Sequence, residues 1–236
     1  MGQPTLEQRL RELLSGTQFA STTTAPKRCS IQLPTMLKFI VLLAPLYGAI
    51  MGGFSWFAGF RNFATQWPQI AYSAVKMPLL LLATVAIALP AFFVFNSLAG
   101  LRDDFDKAAL SIIASLATFS VAIVALAPFT LMFYFSVTTE KTTYRIAVLF
   151  NALIFAIATS ASSISLARNY RNLAARARNH RHMFWVWVFL FAFVGIQLGW
   201  TLRPFIGNPF QPTTFFREES FTSAYLQLIR IVRSLL

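Results

Sequence analysis

Five stretches of this chain are each long and apolar enough to cross a bilayer, and the intervals between them are short. A membrane-spanning helix needs about 20 predominantly apolar residues to traverse a hydrocarbon core roughly 30 Å thick. Such runs occur at 36–57, 75–99, 109–135, 145–167 and 183–203. Within hydrocarbon every backbone N–H and C=O must be paired internally, and a helix achieves this inside a single segment. The expected fold is therefore all-α, a polytopic transmembrane helix bundle of five spans. Pro128 offers a bend in the third span and Pro90 one in the second, whereas Pro78 lies near a helix start, where proline costs little.

Composition points the same way. The chain has 236 residues, 56% of them hydrophobic and 12% charged, against roughly 25% charged in soluble domains. Twenty-five phenylalanines and five tryptophans suit surfaces facing lipid and its interface. Cys29 is the single cysteine, which excludes an internal disulfide framework and a cysteine-rich metal site. No cleavable signal peptide is expected, because the first apolar run starts near Met36 behind a long polar stretch.

The net charge of +12 would suggest nucleic acid in a soluble protein. Here the basic residues sit between apolar runs, where they set topology and attract anionic headgroups, so no nucleic-acid partner is expected. With the amino terminus inside, eleven basic residues are inside: Arg9, Arg11, Lys27, Arg28, Arg102, Lys107, Arg168, Arg171, Arg176, Arg178 and Arg181. Eight fall outside: Arg61, Lys76, Lys141, Arg145 and the arginines at 203, 217, 230 and 233. The dense loop "ARNYRNLAARARNHRH" resists translocation, so the reading is amino terminus cytoplasmic, carboxyl terminus outside. Lys38, inside the edge of the first span, can snorkel to the headgroups.

The termini are too short for domains of their own. Residues 1–35 read as a cytoplasmic amphipathic helix and linker: Thr5 and Gln8 form a capping box, Leu6, Leu10, Leu13 and Leu14 share a face, and Gly16 can close the end. Residues 36–203 form the bundle. Residues 204–236 read as an outer-surface turn, "GNPFQP", followed by an interfacial helix with Phe221, Tyr225, Leu228, Ile229, Val232 and Leu236 on one stripe. Arg203, Trp200, Arg217, Arg230 and Arg233 are the candidates for contact with lipid or a partner. Arg203, beside Pro204 at the membrane edge, can hold a phosphate or carboxylate through its guanidinium fork.

Catalytic chemistry is sparse. All eight acidic residues fall in loops or termini, whereas ion-coupled transporters and intramembrane aspartyl proteases place ionisable groups within spans. His180 and His182 lie in the arginine-rich loop, with no G-x-S-x-G or H-E-x-x-H to pair with. Asp103, Asp104 and Asp106 could hold a divalent cation; as one cluster without a facing second, they read as caps for the third span. No catalytic residue, cofactor or metal is expected. The remaining signals concern packing. Gly48-x-x-x-Gly52 and Gly195-x-x-x-Gly199 let helix backbones approach closely. Hydroxyls at Ser111, Ser115, Thr118 and Ser120, and in "TSASSIS" (159–165), either bond between helices or line a polar path, and Asn151 joins them.

Five spans, a cytosolic amino terminus and a short outer tail resemble the Yip1 class of membrane proteins. The stretches "SAVKMPLLLLATVAIALPAFFVFNSLAG" and "GWTLRPFIGNP" also resemble a group of bacterial polytopic membrane proteins. The resemblance covers 36–203 and implies an adaptor without an enzymatic site, in a bacterial inner (plasma) membrane. The expected function is a non-catalytic membrane subunit or scaffold assembling with other membrane proteins or with itself. The alternative is a channel or small-solute/lipid transporter whose path is lined by the hydroxyls of spans three and four.

Overall fold

The computed structural model describes residues 27–137, 141–174, 179–208, 210 and 212–216, with side chains placed at 33–137, 143–170, 181–208, 210 and 212–216. The expected helix at Thr5–Gly16, the tail helix with Arg217, Arg230 and Arg233, and the side chains of Arg171, Arg176, Arg178 and His180 lie outside the described residues.

The described chain is all-helical. Its elements are α1 (Lys27–Gly52), α2 (Phe54–Phe57), α3 (Phe63–Leu98), a 3-10 turn (Arg102–Asp104), α4 (Phe105–Ala125), α5 (Ala127–Ser136), α6 (Lys141–Ala174) and α7 (Asn179–Thr201). Five segments are long and apolar enough to cross a membrane: Leu33–Gly52, Phe63–Leu98, Arg102–Ser136, Thr143–Tyr170 and Arg181–Thr201.

Helix ends follow local chemistry. α3 closes at Gly100, whose φ of 73° admits the left-handed turn. There Leu101 N–H reaches Asn96 O at 2.9 Å and Gly100 N–H reaches Ser97 O at 3.1 Å, pairing carbonyls that the helix leaves orphaned. The third apolar segment breaks at Leu126, two residues ahead of Pro128, which sits in the first turn of α5 where its missing N–H costs nothing.

Several boundaries differ from expectation. α1 begins at Lys27 rather than 36, within the stretch expected as amphipathic helix and linker, and α6 runs from Lys141 to Ala174 rather than from 145 to 167. The first long helix stops at Gly52 rather than 57, because Gly53 starts the separate turn of α2. The second starts at Phe63 rather than 75, so Lys76 stands inside α3 and not in an outer loop, and Pro78 is interior to the helix. The polar residues of 63–76 lower the local hydropathy, which disguised about three extra turns as a loop.

α1 lies against α3 along most of its length and also against α4; α4 lies against α6, and α7 lies on α3. The seam between α6 and α7 is thinner. Gly48 and Gly52 set the closest approach. A Cβ on Gly48 would stand 2.3 Å from Ser73 O, and one on Gly52 would stand 2.8 Å from Gln69 O. Gly195 has only an ordinary contact, 3.6 Å to Thr84 Cγ2. Gly199 meets nothing within 4 Å, so within the described chain it is not a packing glycine. The second small-residue pair turns one member toward α3 and the other to open space.

A buried polar knot ties α1, α5 and α6. Tyr47 OH donates to Asn151 Oδ1 at 3.1 Å and lies 3.2 Å from Thr130 Oγ1. Asn151 Nδ2 donates to Tyr134 OH at 2.7 Å and to Ala147 O at 2.8 Å. Each group is satisfied by another, which a polar cluster in a low-dielectric core requires.

Candidate functional site

Gln66, Gln69, Ser73 and Lys76 follow one another on α3 at intervals of three, four and three residues, so they form a polar stripe on one face. All four are buried. What covers them is the chain that follows α7. Leu202–Asn208 folds back against the stripe and lays its carbonyls on these donors. Ser55 Oγ donates to Gly207 O at 2.7 Å, and Ser73 Oγ to Phe205 O at 2.5 Å. Gln69 Nε2 donates to Ser73 Oγ at 3.0 Å and to Pro204 O at 3.3 Å. Gln66 Nε2 donates to Gly52 O at 3.1 Å, fixing the end of α1 to the same site.

Lys76 is the pivot. Its side chain has 0% exposure. Nζ donates to Pro204 O at 3.0 Å and also to Phe215 O, and it stands 4.7 Å from the Phe215 ring centre. Burying an ammonium costs several kcal/mol unless its donors are taken up. Charge-assisted bonds to carbonyls and the aromatic face offset that cost here. The Phe215 ring in turn meets Tyr72 edge-on at 5.2 Å.

Gly207 lies where the corner touches both helices. A Cβ there would meet the Gln66 amide and stand 3.1 Å from Gly52 O, so an added methyl has to displace Gln66 from its bond to Gly52 O. Beyond it, Asn208 Oδ1 accepts the Phe210 N–H at 2.9 Å and turns the chain. Phe210 and Phe216 are exposed, at 53% and 41%. Arg203 stacks on Trp200, with Cζ 3.5 Å from the ring.

Ser55, Gln66, Gln69 and Ser73 seat the chain around the start of the expected "GNPFQP" turn, and sequence reasoning missed them. For the three on α3 their helical spacing was the available signal.

The hydroxyls of α4 and α6 mostly turn to carbonyls. Ser111, Ser115, Thr118 and Ser120 donate within their own helix, to Lys107 O, Ile112 O, Ala114 O and Leu116 O. Two contacts join α4 to α6: Ser162 Oγ to Ser115 O at 2.7 Å, and Thr118 Oγ1 with Ser165 Oγ at 3.2 Å. Beside them a partly open cleft of about 380 Å³ lies between α3, α4, α6 and α7, walled by Phe119, Phe155, Leu166, Trp187 and Phe191. Thr159 and Ser163 are at its exposed lip.

The aspartate cluster departs from the capping expectation. Asp104 holds the N-cap position of α4 without a side-chain cap bond. Its Oδ1 instead takes the Lys107 ammonium at 2.9 Å. Asp103, Asp104 and Asp106 do not converge into a group able to hold a metal among the described residues.

No protein-family model matches this chain, and no curated protein or solved structure matches it either. The functional reading therefore rests on the chain's own geometry.

Proposed function

We propose that this chain is a non-catalytic integral membrane subunit or scaffold of a bacterial inner membrane, with its amino terminus in the cytoplasm and its carboxyl terminus outside. The observation that carries this reading is the corner after α7. Its backbone is held by buried donors on α2 and α3, yet it presents Phe210 and Phe216 outward. An ordered backbone displaying aromatic side chains loses little entropy when a partner covers it. α7 supports the same reading. It leans mainly on α3 and leaves Trp185, Phe189, Phe193 and Ile196 exposed, an apolar face available to lipid or another membrane helix. Arg203, and beyond the described residues Arg217, Arg230 and Arg233, would supply contacts to anionic headgroups or a partner's carboxylates.

A transport role is the second reading, favoured by the cleft beside spans three and four. The hydroxyl donors of α4 return to carbonyls, which leaves an apolar wall more suited to a lipid chain than to a hydrated solute.

Purification in mild detergent followed by native mass spectrometry tests the scaffold reading. A defined complex of this chain with a second membrane protein, or with further copies of itself, is the expected result. That complex should be weakened by Phe216→Glu.

A further inference from the structure

We infer that the cleft between α3, α4, α6 and α7 is a binding site for one acyl chain of a phospholipid, whose phosphate is held by Arg181. The inference rests on the chain being inserted in a bilayer.

Three features of the cleft choose this occupant. Its walls are apolar and rich in rings, with Phe119, Phe155, Trp187 and Phe191 lining about 380 Å³. The hydroxyls of its interior turn away from it: Thr84 Oγ1 donates to Leu80 O at 2.6 Å, Ser115 Oγ to Ile112 O at 2.7 Å and Ser162 Oγ to Ser115 O at 2.7 Å, while Thr159 and Ser163 stand at the exposed lip. An apolar void in hydrocarbon is filled by the apolar molecule at hand, which is a lipid tail. Finally, the extent suits a lipid tail. On α7 the lining runs from Trp187 to Ile196, about 9 to 22 Å beyond Arg181 at ~1.5 Å per residue, so it starts below the headgroup level and passes the middle of a hydrocarbon core roughly 30 Å thick.

The headgroup position follows from the helix register. Arg181, Phe184, Val188, Phe191 and Gly195 succeed one another at three- and four-residue intervals, so Arg181 is on the stripe of α7 that faces the cleft. Arg181 is exposed, and it precedes Val188 by about two turns, ~10 Å along the axis. Long side chains on a helix lean toward its amino-terminal end, here away from the cleft and toward the headgroups. A guanidinium at that level offers a fork to phosphate oxygens. The cleft is partly open, and the exposed Thr159 and Ser163 of α6 and Ile196 of α7 mark that side.

Tryptophan quenching tests this, because Trp187 is 2% exposed whereas Trp185, two residues away, is 64% exposed. Two single-tryptophan proteins, one retaining Trp187 and one retaining Trp185, are reconstituted in phosphatidylglycerol vesicles brominated along the acyl chain. Both should be quenched. Ala192→Phe, which fills the cleft from α7, should at least halve the quenching of Trp187 and leave Trp185 unchanged. Ser163→Phe fills it from α6 and should do the same where Ala192→Phe does not fold. Arg181→Gln should reduce phospholipid retained through detergent size exclusion by about five-fold. Trp187 quenching indifferent to both fillers overturns the acyl-chain site. Retention indifferent to Arg181→Gln overturns the headgroup assignment. Absence of quenching at Trp185 as well would overturn bilayer insertion itself, and the site with it.

Discussion

Lys76 donates a 3.0 Å hydrogen bond to the carbonyl of Pro204, joining the interior of α3 to the chain that leaves α7. The two residues are 128 positions apart in sequence, so this contact, with those of Gln69 and Ser73, closes the first half of the fold onto its last described segment. Hydrogen bonds from charged donors are worth roughly 1.5–3 kcal/mol. Lys76→Met keeps an apolar side chain of similar length and removes the donor. In a Cys29→Ser background, thiol labelling of Ile206→Cys, a buried position of this segment, should then speed up by about ten- to a hundred-fold, at ~1.4 kcal/mol per factor of ten. Gly207→Ala should do the same from the other side, and unchanged labelling in both contradicts the docked corner.

The two glycine pairs should separate cleanly. Gly48→Ala forces a carbon against the backbone carbonyl of Ser73, and overpacking of this kind costs ~1–3 kcal/mol. A clear fall in Tm in detergent is expected. Gly199→Ala, with nothing within 4 Å, should leave Tm unchanged or slightly raised. If Gly199→Leu preserves Tm but loses a co-purifying protein, that face of α7 is a contact between chains.

Asn151 is the hub of the buried polar knot. Interhelical hydrogen bonds inside membrane bundles average ~0.6 kcal/mol and reach ~1.7 kcal/mol. Asn151→Leu leaves Tyr47 and Tyr134 without their amide partner, so it should cost more than either Tyr47→Phe or Tyr134→Phe alone. A double-mutant cycle between positions 47 and 151 should show coupling near that average. Strict additivity contradicts a cooperative network.

Orientation is testable with introduced cysteines in a Cys29→Ser background. Arg176→Cys should react with an impermeant thiol reagent only after permeabilisation, and Ser234→Cys should react in intact cells. The reverse pattern overturns the orientation derived from basic-residue asymmetry.

How far the sequence could be read depended on what each signal averages over. Long apolar runs report a whole segment, so five helices able to span a membrane were legible from hydropathy alone. The start of α3 was not. Gln66, Gln69, Ser73 and Lys76 lower the mean that defines a span, and a polar stripe on a buried face looks like a loop until its spacing is counted. The break near Pro128 was legible because proline acts on its immediate neighbours. Gly48 and Gly199 look equivalent in sequence, but what a glycine faces is decided by the packing of its helix. The aspartates at 103–106 show a similar limit: side-chain type marks a helix start, while Lys107, three residues after Asp104, decides what its carboxylate binds.

The proposal that this chain is a membrane subunit whose corner after α7 serves assembly stands or falls on native mass spectrometry of the protein extracted in mild detergent. A discrete assembly, in which this chain is joined stoichiometrically by another membrane protein or by further copies, is the expected result. Phe216→Glu and Gly207→Ala should dissociate it while leaving the monomer folded. A monomer carrying only lipid, unchanged by either substitution, would overturn the proposal.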